Sequence, residues 1–572
     1  MNYPIWSLPS PGLLIAFVAI VHVFISHFAV GGGLFLVLAE RKARRERDEG
    51  LLLYVRRHSR FFILLTLVLG AITGVGIWFT IGLVHPQATS ALITIFVWAW
   101  AIEWTFFVTE IAAAMVYYYG WDRLDARTHE RVGWIYAVSA WLSLVVINGI
   151  LAFMLTPGGW LATGSMWSGL VNPTYWSSLV ARTFTAFGLA GLYALLTASR
   201  LPDPALKEKV TRYAARWVFL MTAALPLSVA WFLWAASGAG VQVAEVFGVK
   251  TLSIGALAGV MLGGSPSGYP PAIIAARCVL VGSVVTLLVT LVIAVGRPRS
   301  YGLGSATVAL IFAFVAMGGG EWVREDLRKP YVIGHYMFVN GVRVSPAWAA
   351  GEAGPARPAD RFELASVRRT GILQSSLWPR LAPARAGEDA LQRLEAEGQE
   401  VFRLTCSQCH STDGYLAIRP LVAGRQQDAL ATMIGRFASG DEAPRDRAAL
   451  WTWRGRRMPP FAGTDAERDA LAAHLARLGG SPPHLPAPPG AATGGSPAAA
   501  YFNENCSACH GEGSDFPIGR RGRTAAQLYE MLGRLPQINE AMPAFEGSDE
   551  LRKALAEYLA ALPPAPREGG AR

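Results

Sequence analysis

The sequence predicts an all-α protein: a polytopic transmembrane helix bundle of about eight spans, followed by two small α-helical domains. Three observations carry this. Of the 572 residues, 52% are hydrophobic and 16% charged, and the charges are spread very unevenly along the chain. Apolar runs near the ~20 residues that a helix needs to cross bilayer hydrocarbon recur from Pro11 to Trp322, and none follows. Far beyond them, one short unit is written twice.

The expected spans are 11–39, 60–84, 92–120, 132–156, 178–199, 213–236, 272–296 and 302–322; the apolar segment 251–264 is too short to be a ninth. Met1 to Ser10 holds no Lys or Arg, so it lacks the basic start of a cleaved signal peptide and the first span is expected to be retained. Basic residues gather in alternate connections: Arg41 to Arg60, Arg123 to Arg131, Arg200 to Arg216, and Arg297 with Arg299, Lys250 being the main exception. Positive connections stay in the cytoplasm. An even number of spans then leaves Met1 and everything after Trp322 outside it. The expected location is a bacterial inner membrane, with the tail on the periplasmic side and lipid around the spans. The net charge of +10 is accounted for by these connections and gives no reason to expect a nucleic-acid partner.

The expected division is a membrane domain over 1–322, a docking segment and linker over 323–387, a first small domain over 388–480, a Pro/Gly/Ala-rich linker over 481–499 and a second small domain over 500–572. The first unit reads Val401-Phe402, then Cys406-Ser407-Gln408-Cys409-His410, then Met458-Pro459-Pro460-Phe461. The second reads Tyr501-Phe502, then Cys506-Ser507-Ala508-Cys509-His510, then Met542-Pro543-Ala544-Phe545. Each closes on a helical pattern, 466–478 and 549–562.

C-x-x-C-H has a chemical reason for its spacing: two thiols form thioethers to the haem vinyls, and the adjacent histidine becomes the proximal iron ligand. Cys406, Cys409, Cys506 and Cys509 are therefore read as attachment points of two covalent haems c, with His410 and His510 on iron. A thioredoxin-like redox pair would need a βαβ context and no histidine. A zinc site would need two such pairs around one metal, and the other thiols lie a hundred residues away. The opposite ligand is expected to be a thioether from the Met-Pro loop, Met458 and Met542, with Met433 and Met531 as alternatives. A His/Met pair suits electron transfer. The two units resemble class I cytochrome c domains. Cys278, the fifth cysteine, stands alone in a span and is read as a small packing residue.

The membrane part resembles the large subunit of cytochrome bd quinol oxidases. His22 lies eighteen residues before Glu40, the second span carries Gly70-Ala71-Ile72-Thr73-Gly74, and the third begins Ala101-Ile102-Glu103 and ends Gly120-Trp121-Asp122-Arg123-Leu124. Asn148-Gly149 follows in the fourth, and Arg328-Lys329-Pro330-Tyr331 comes after the eighth. The resemblance implies one or more non-covalent haems of b or d type, an axial ligand in His22, and a proton route built on Glu103 and Glu110. Seven residues apart, these two glutamates share one helix face, and ionisable groups inside a span are functional by default; a satisfied polar contact between helices is the alternative. His27 points about 140° away from His22 and is open as a ligand of a second haem. His58, His85 and His335 are read as interfacial.

Where bd oxidases carry the histidine and methionine ligands of their quinol-oxidised low-spin haem, this chain reads Val180-Ala181-Arg182-Thr183 and Arg277-Cys278-Val279. That haem is expected to be missing, with Arg182 and Arg277 left to neutralise haem propionates. No segment resembles the family's quinol-binding loop. Glu321, in Gly318-Gly319-Gly320-Glu321-Trp322, is the candidate acidic ligand near the outer end of the last span.

Three functions compete. The leading one is a cytochrome c-dependent bd-like terminal reductase, in which electrons pass from the c haems to a membrane haem that reduces oxygen. The others are a quinol:cytochrome c oxidoreductase and a non-catalytic electron-conducting subunit of a larger respiratory complex. Expected partners are a cytochrome c or another redox protein, and a partner membrane subunit.

Overall fold

The computed structural model describes residues 8, 11–264, 268–346, 361–377, 379–381, 388–438, 457–486, 496–506, 510, 523–538, 542 and 544–562. Within them the protein is helical, with two short strands, Tyr331–Ile333 and Met337–Phe338. Eight helices are long and apolar enough to cross a membrane: span 1 Pro11–Glu46, span 2 Glu49–Val84, span 3 Val97–Tyr119, span 4 Ala126–Phe153, span 5 Tyr175–Ala198, span 6 Pro204–Gly238, span 7 Pro270–Val295 and span 8 Leu303–Arg328. The short apolar segment is a separate helix, Ile254–Gly263.

The helices outrun the apolar stretches for a local reason. Span 2 begins at Glu49 rather than 60 because Asp48 caps it, accepting from Leu51 N–H at 2.8 Å. Span 6 begins at Pro204 rather than 213: Asp203 accepts from Ala205 and Leu206 N–H at 3.1 Å, and proline suits the first helical position. Span 8 continues past Trp322 to Arg328 on ion pairs of Glu321 with Arg324 and of Glu325 with Arg328 and Lys329, spaced three or four residues apart.

Inside the bundle small residues let backbones approach, as membrane helices require. Span 5 is the most enclosed, with 61% of its apolar window buried against 22% for span 1. The two meet at Gly31, where a Cβ would stand 2.0 Å from the Ala186 carbonyl oxygen. Cys278 is packed against Gly319, whose added Cβ would lie 3.0 Å from the cysteine's own.

The chain divides into two compact units, one formed chiefly by Leu13–His335 and the other by Tyr336–Ser345 with the residues from Ala353 on. In the second unit the first repeat is built on helices Ala390–Thr405, Gln427–Ala438 and Asp465–Leu478. Its first and last helices cross at Gly398, where a Cβ would be 1.9 Å from the Ala470 carbonyl oxygen. The second repeat uses Pro497–Asn505, Ala525–Leu532 and Asp549–Ala561 around Phe502, Leu532, Leu555 and Leu559. The stretch read as a linker holds helices Leu364–Thr370 and Ile372–Ser375, the second held by Glu467, which accepts from Ile372 and Leu373 N–H at 2.9 and 2.8 Å.

Candidate haem sites and a buried polar row

Each attachment motif sits where a helix runs out. Helix Ala390–Thr405 ends at Cys406, and the N–H groups of Cys409 and His410 both return to the Cys406 carbonyl, at 3.1 and 2.9 Å. This turn gathers two thiols and an imidazole within five residues. His410 Nδ1 lies 2.9 Å from the Leu416 carbonyl oxygen. A carbonyl only accepts, so Nδ1 carries the proton and the neutral ring keeps its lone pair on Nε2, the atom that a proximal ligand offers to iron. Burial pushes the Cys406 thiol up to about 11, against the pull of the Thr405 hydroxyl, so it stays protonated at neutral pH. The second motif repeats the turn: Cys506 N–H bonds to Phe502 at 2.8 Å and His510 N–H to Cys506 at 2.9 Å. Cys509 lies outside the described residues. Met458 and Met542 are half-buried ahead of the last helix of each unit; Met433 and Met531, also half-buried, sit on Gln427–Ala438 and Ala525–Leu532.

The membrane histidines submit to the same test. His22 Nδ1 is 3.1 Å from Thr73 Oγ1, and the Thr73 hydroxyl already donates to the carbonyls of Leu69 at 2.8 Å and Gly70 at 3.1 Å. Thr73 must then accept from His22, which leaves the His22 lone pair on Nε2, as an axial ligand needs. Gly74 clears the ring, since a Cβ there would be 3.2 Å from His22 Cε1. Span 2's Gly-rich stretch thus both orients His22 and makes room for it. His27, which is buried, has its Nδ1 2.8 Å from the Val23 carbonyl and shows the same tautomer.

The sequence offers Arg182 as a propionate partner and Glu321 as an iron ligand. They meet: Arg182 Nη2 donates to Glu321 Oε1 at 3.1 Å, and Arg324 Nε to Glu321 Oε2 at 2.8 Å. Each carboxylate oxygen accepts one hydrogen bond, which fixes the orientation of Glu321. Arg277 Nε donates to the Met261 carbonyl at 3.0 Å, joining span 7 to helix Ile254–Gly263. His58 lies on span 2, which starts at Glu49, and is buried, with Nδ1 2.9 Å from Thr197 Oγ1. His85 caps helix Pro86–Ile95 by accepting from Ala88 N–H at 3.3 Å.

The two glutamates belong to a longer polar row on span 3. Glu103 accepts from Ser143 Oγ at 2.8 Å, and the Tyr136 hydroxyl lies 3.0 Å from both Glu110 Oε1 and the Ala29 carbonyl oxygen. A further seven residues along, the Tyr117 hydroxyl donates to Glu40 Oε2 at 2.8 Å. His129 Nδ1 stands 2.9 and 3.0 Å from the two Glu40 oxygens, and Arg44 Nε donates to Glu40 Oε1 at 2.8 Å. Sequence reasoning named Glu40 only as a landmark and missed His129, Tyr117, Tyr136 and Ser143. The seven-residue spacing 103, 110, 117 is the one signal that pointed there.

Residues 13–259 match the family model of cytochrome bd terminal oxidase subunit I. Residues 393–475 and 495–559 match that of cytochrome C oxidase, cbb3-type, subunit III. No curated protein matches the chain. Among solved structures, the bd oxidase from Geobacillus thermodenitrificans aligns with 56% of this chain and 87% of that one, at 17% identity and a TM-score of 0.47. An eight-span helical bundle carrying haem-attachment units defines a membrane haemoprotein of electron transfer. More particularly, its membrane part is similar to cytochrome bd terminal oxidase subunit I and its tail to cbb3-type subunit III, each over less than half of the chain.

Proposed function

We propose that this protein is a cytochrome c-dependent terminal reductase of bd type, taking electrons through two covalent haems c outside the cytoplasm and reducing oxygen inside the membrane. The observation that carries the reading is the exchange of parts within one chain. Arg182, where the family's low-spin haem would be ligated, is in an ion pair with Glu321, while two haem-attachment units follow the bundle. A chain so altered suits electrons arriving from a c-type donor rather than from quinol. A membrane haem on His22, when bound, would supply the site of oxygen reduction. The protein's own residues do the rest: Thr73 and Gly74 set the imidazole, and Glu110 and Glu103 hold protons on the face of span 3 turned to span 4.

The test is oxygen uptake by the purified protein with a reduced cytochrome c as donor, beside a quinol analogue. Uptake with cytochrome c alone supports the reading. Uptake with quinol alone replaces it with the quinol:cytochrome c alternative. The third reading, an electron-conducting subunit, requires no oxygen-binding haem in the membrane. Absence of carbon monoxide binding to any reduced non-c haem would decide for that one.

A further inference from the structure

We propose that helix Ile372–Ser375, with Arg380 beyond it, is a clamp on the first haem c unit, and that Glu467 is the positioning residue through which it holds the loop of Met458. The inference rests on the attached haem and on Met458 as its axial ligand. It therefore goes beyond the terminal-reductase reading and stands under any of the three functions.

Glu467 is buried, and a buried carboxyl group needs donors. Its Oε2 accepts from Thr464 N–H at 3.0 Å, which closes the capping box of helix Asp465–Leu478, and from Ile372 N–H at 2.9 Å. Oε1 accepts from Leu373 N–H at 2.8 Å. Ile372 and Leu373 open their own helix, where backbone N–H groups have no partner within the helix. One side chain thus satisfies three donors, two on the clamp and one at the end of the methionine loop.

Thr464 lies six residues after Met458, and the rings of Pro459 and Pro460 remove two of the backbone rotations between them. Fixing Thr464 therefore fixes much of the loop. A Cβ at Gly463 would lie 2.5 Å from Phe461 Cζ and 2.9 Å from both Ile372 Cδ1 and Glu467 Oε2, so the leading side chain of the clamp packs into the loop itself. Beyond the helix, Arg380 N–H donates to Glu400 Oε1 at 2.7 Å. Glu400 is a buried residue of Ala390–Thr405, the helix that runs into Cys406. The clamp is tied on one side to the helix that delivers the attachment motif and on the other to the helix that follows the methionine loop.

The second repeat has the same corner without the tie. Leu551 stands nine residues after Met542, as Glu467 does after Met458. A Cβ at Gly547 would lie 2.8 Å from Phe545 Cζ and 3.0 Å from Leu551 Cδ2, the counterparts of Phe461 and Glu467. Ser548 caps that last helix by accepting from Leu551 N–H at 3.2 Å, but a leucine side chain offers no oxygen to a clamp. The two units are thus built to differ in how firmly the methionine loop is held. A thioether kept on iron raises the potential and closes the iron to other ligands.

The test is a redox titration of the full chain with ferric and reduced spectra. Glu467→Leu installs the residue of the second repeat. Gly371→Ala leaves Glu467 and its cap in place, but its methyl would stand 2.9 Å from Glu467 Oε1 at a φ of 91°, so the clamp must part from the carboxylate. In each variant one c haem should fall in potential, lose its ferric sulfur-to-iron charge-transfer band and bind carbon monoxide when reduced, while the other stays as in wild type. Gly371→Ala decides alone if Glu467→Leu does not assemble. A potential that rises in Glu467→Leu with the band intact would mean that the carboxylate acts only through its charge, and would overturn the proposal. Earlier melting with potentials and band unmoved would do the same, as would a shift in Glu467→Leu with none in Gly371→Ala. Met458→Ala is the control for the ligand. If it lowers one potential while both clamp variants do not, the clamp alone fails; if it moves neither potential, the ligand assignment fails and the clamp with it.

Discussion

At the scale of the residue, the side chains that matter are recognisable by what their second atom does. His410 and His22 each spend Nδ1–H on an oxygen that must accept, which leaves on Nε2 the lone pair an iron ligand would use. Cys406→Ala with Cys409→Ala should remove one covalent haem and leave the other, since attachment needs both thioethers; haem-stained denaturing gels check this, and the Cys506/Cys509 pair should behave in the mirror way. The motif was legible because its five residues are contiguous. Glu321 was legible only as an acid in a span, because its partner Arg182 is 139 residues away. Glu321→Gln should leave Arg182 without its counter-charge, and Arg324 with only Glu325 nearby, in a largely enclosed site. Losses of about 3 kcal/mol follow when one partner of a buried pair is removed, and thermal unfolding in detergent should register the drop. Adding Arg182→Leu should recover part of it.

At the scale of the element, apolar runs of the right length disclosed the eight spans, but not their ends. Ends are fixed by caps and charges, such as Asp48, Asp203 and the ladder Glu321 to Lys329, which hydropathy does not weigh. This is why His58 reads as interfacial in the sequence and is buried in the fold. Close helix crossings were equally invisible, for a glycine at a crossing looks like any other glycine. Gly398→Ala drives a methyl to 1.9 Å from the Ala470 carbonyl oxygen, so the first and last helices of the first repeat must separate. Overpacking of this kind costs about 1–3 kcal/mol. The second unit should melt earlier, followed through Soret absorbance, while the helical signal of the spans persists.

At the scale of the whole molecule, two compact units divide the labour, and the division makes the oxygen-site hypothesis open to one decisive measurement. Thioether attachment belongs to the unit that carries Cys406 and Cys506, whereas His22 belongs to the membrane unit and is held by Thr73 on span 2. His22→Ala removes an imidazole and nothing that touches either attachment motif. A pyridine haemochrome spectrum counts c and non-c haem separately. In this variant it should show covalent haem unchanged and non-c haem lost, or cut to the share held by a second site. His27, buried and with the same tautomer, is the residue to substitute next if part of the non-c signal survives. Thr73→Val should act in the same direction but more weakly, by freeing the ring without removing it; losses of about 10- to 100-fold in affinity accompany such outer-shell changes at metal sites. A wild-type preparation with covalent haem but no non-c haem would refute the terminal-reductase reading, because a six-coordinate His/Met haem has no position for oxygen. The bundle would then serve to anchor two cytochromes c.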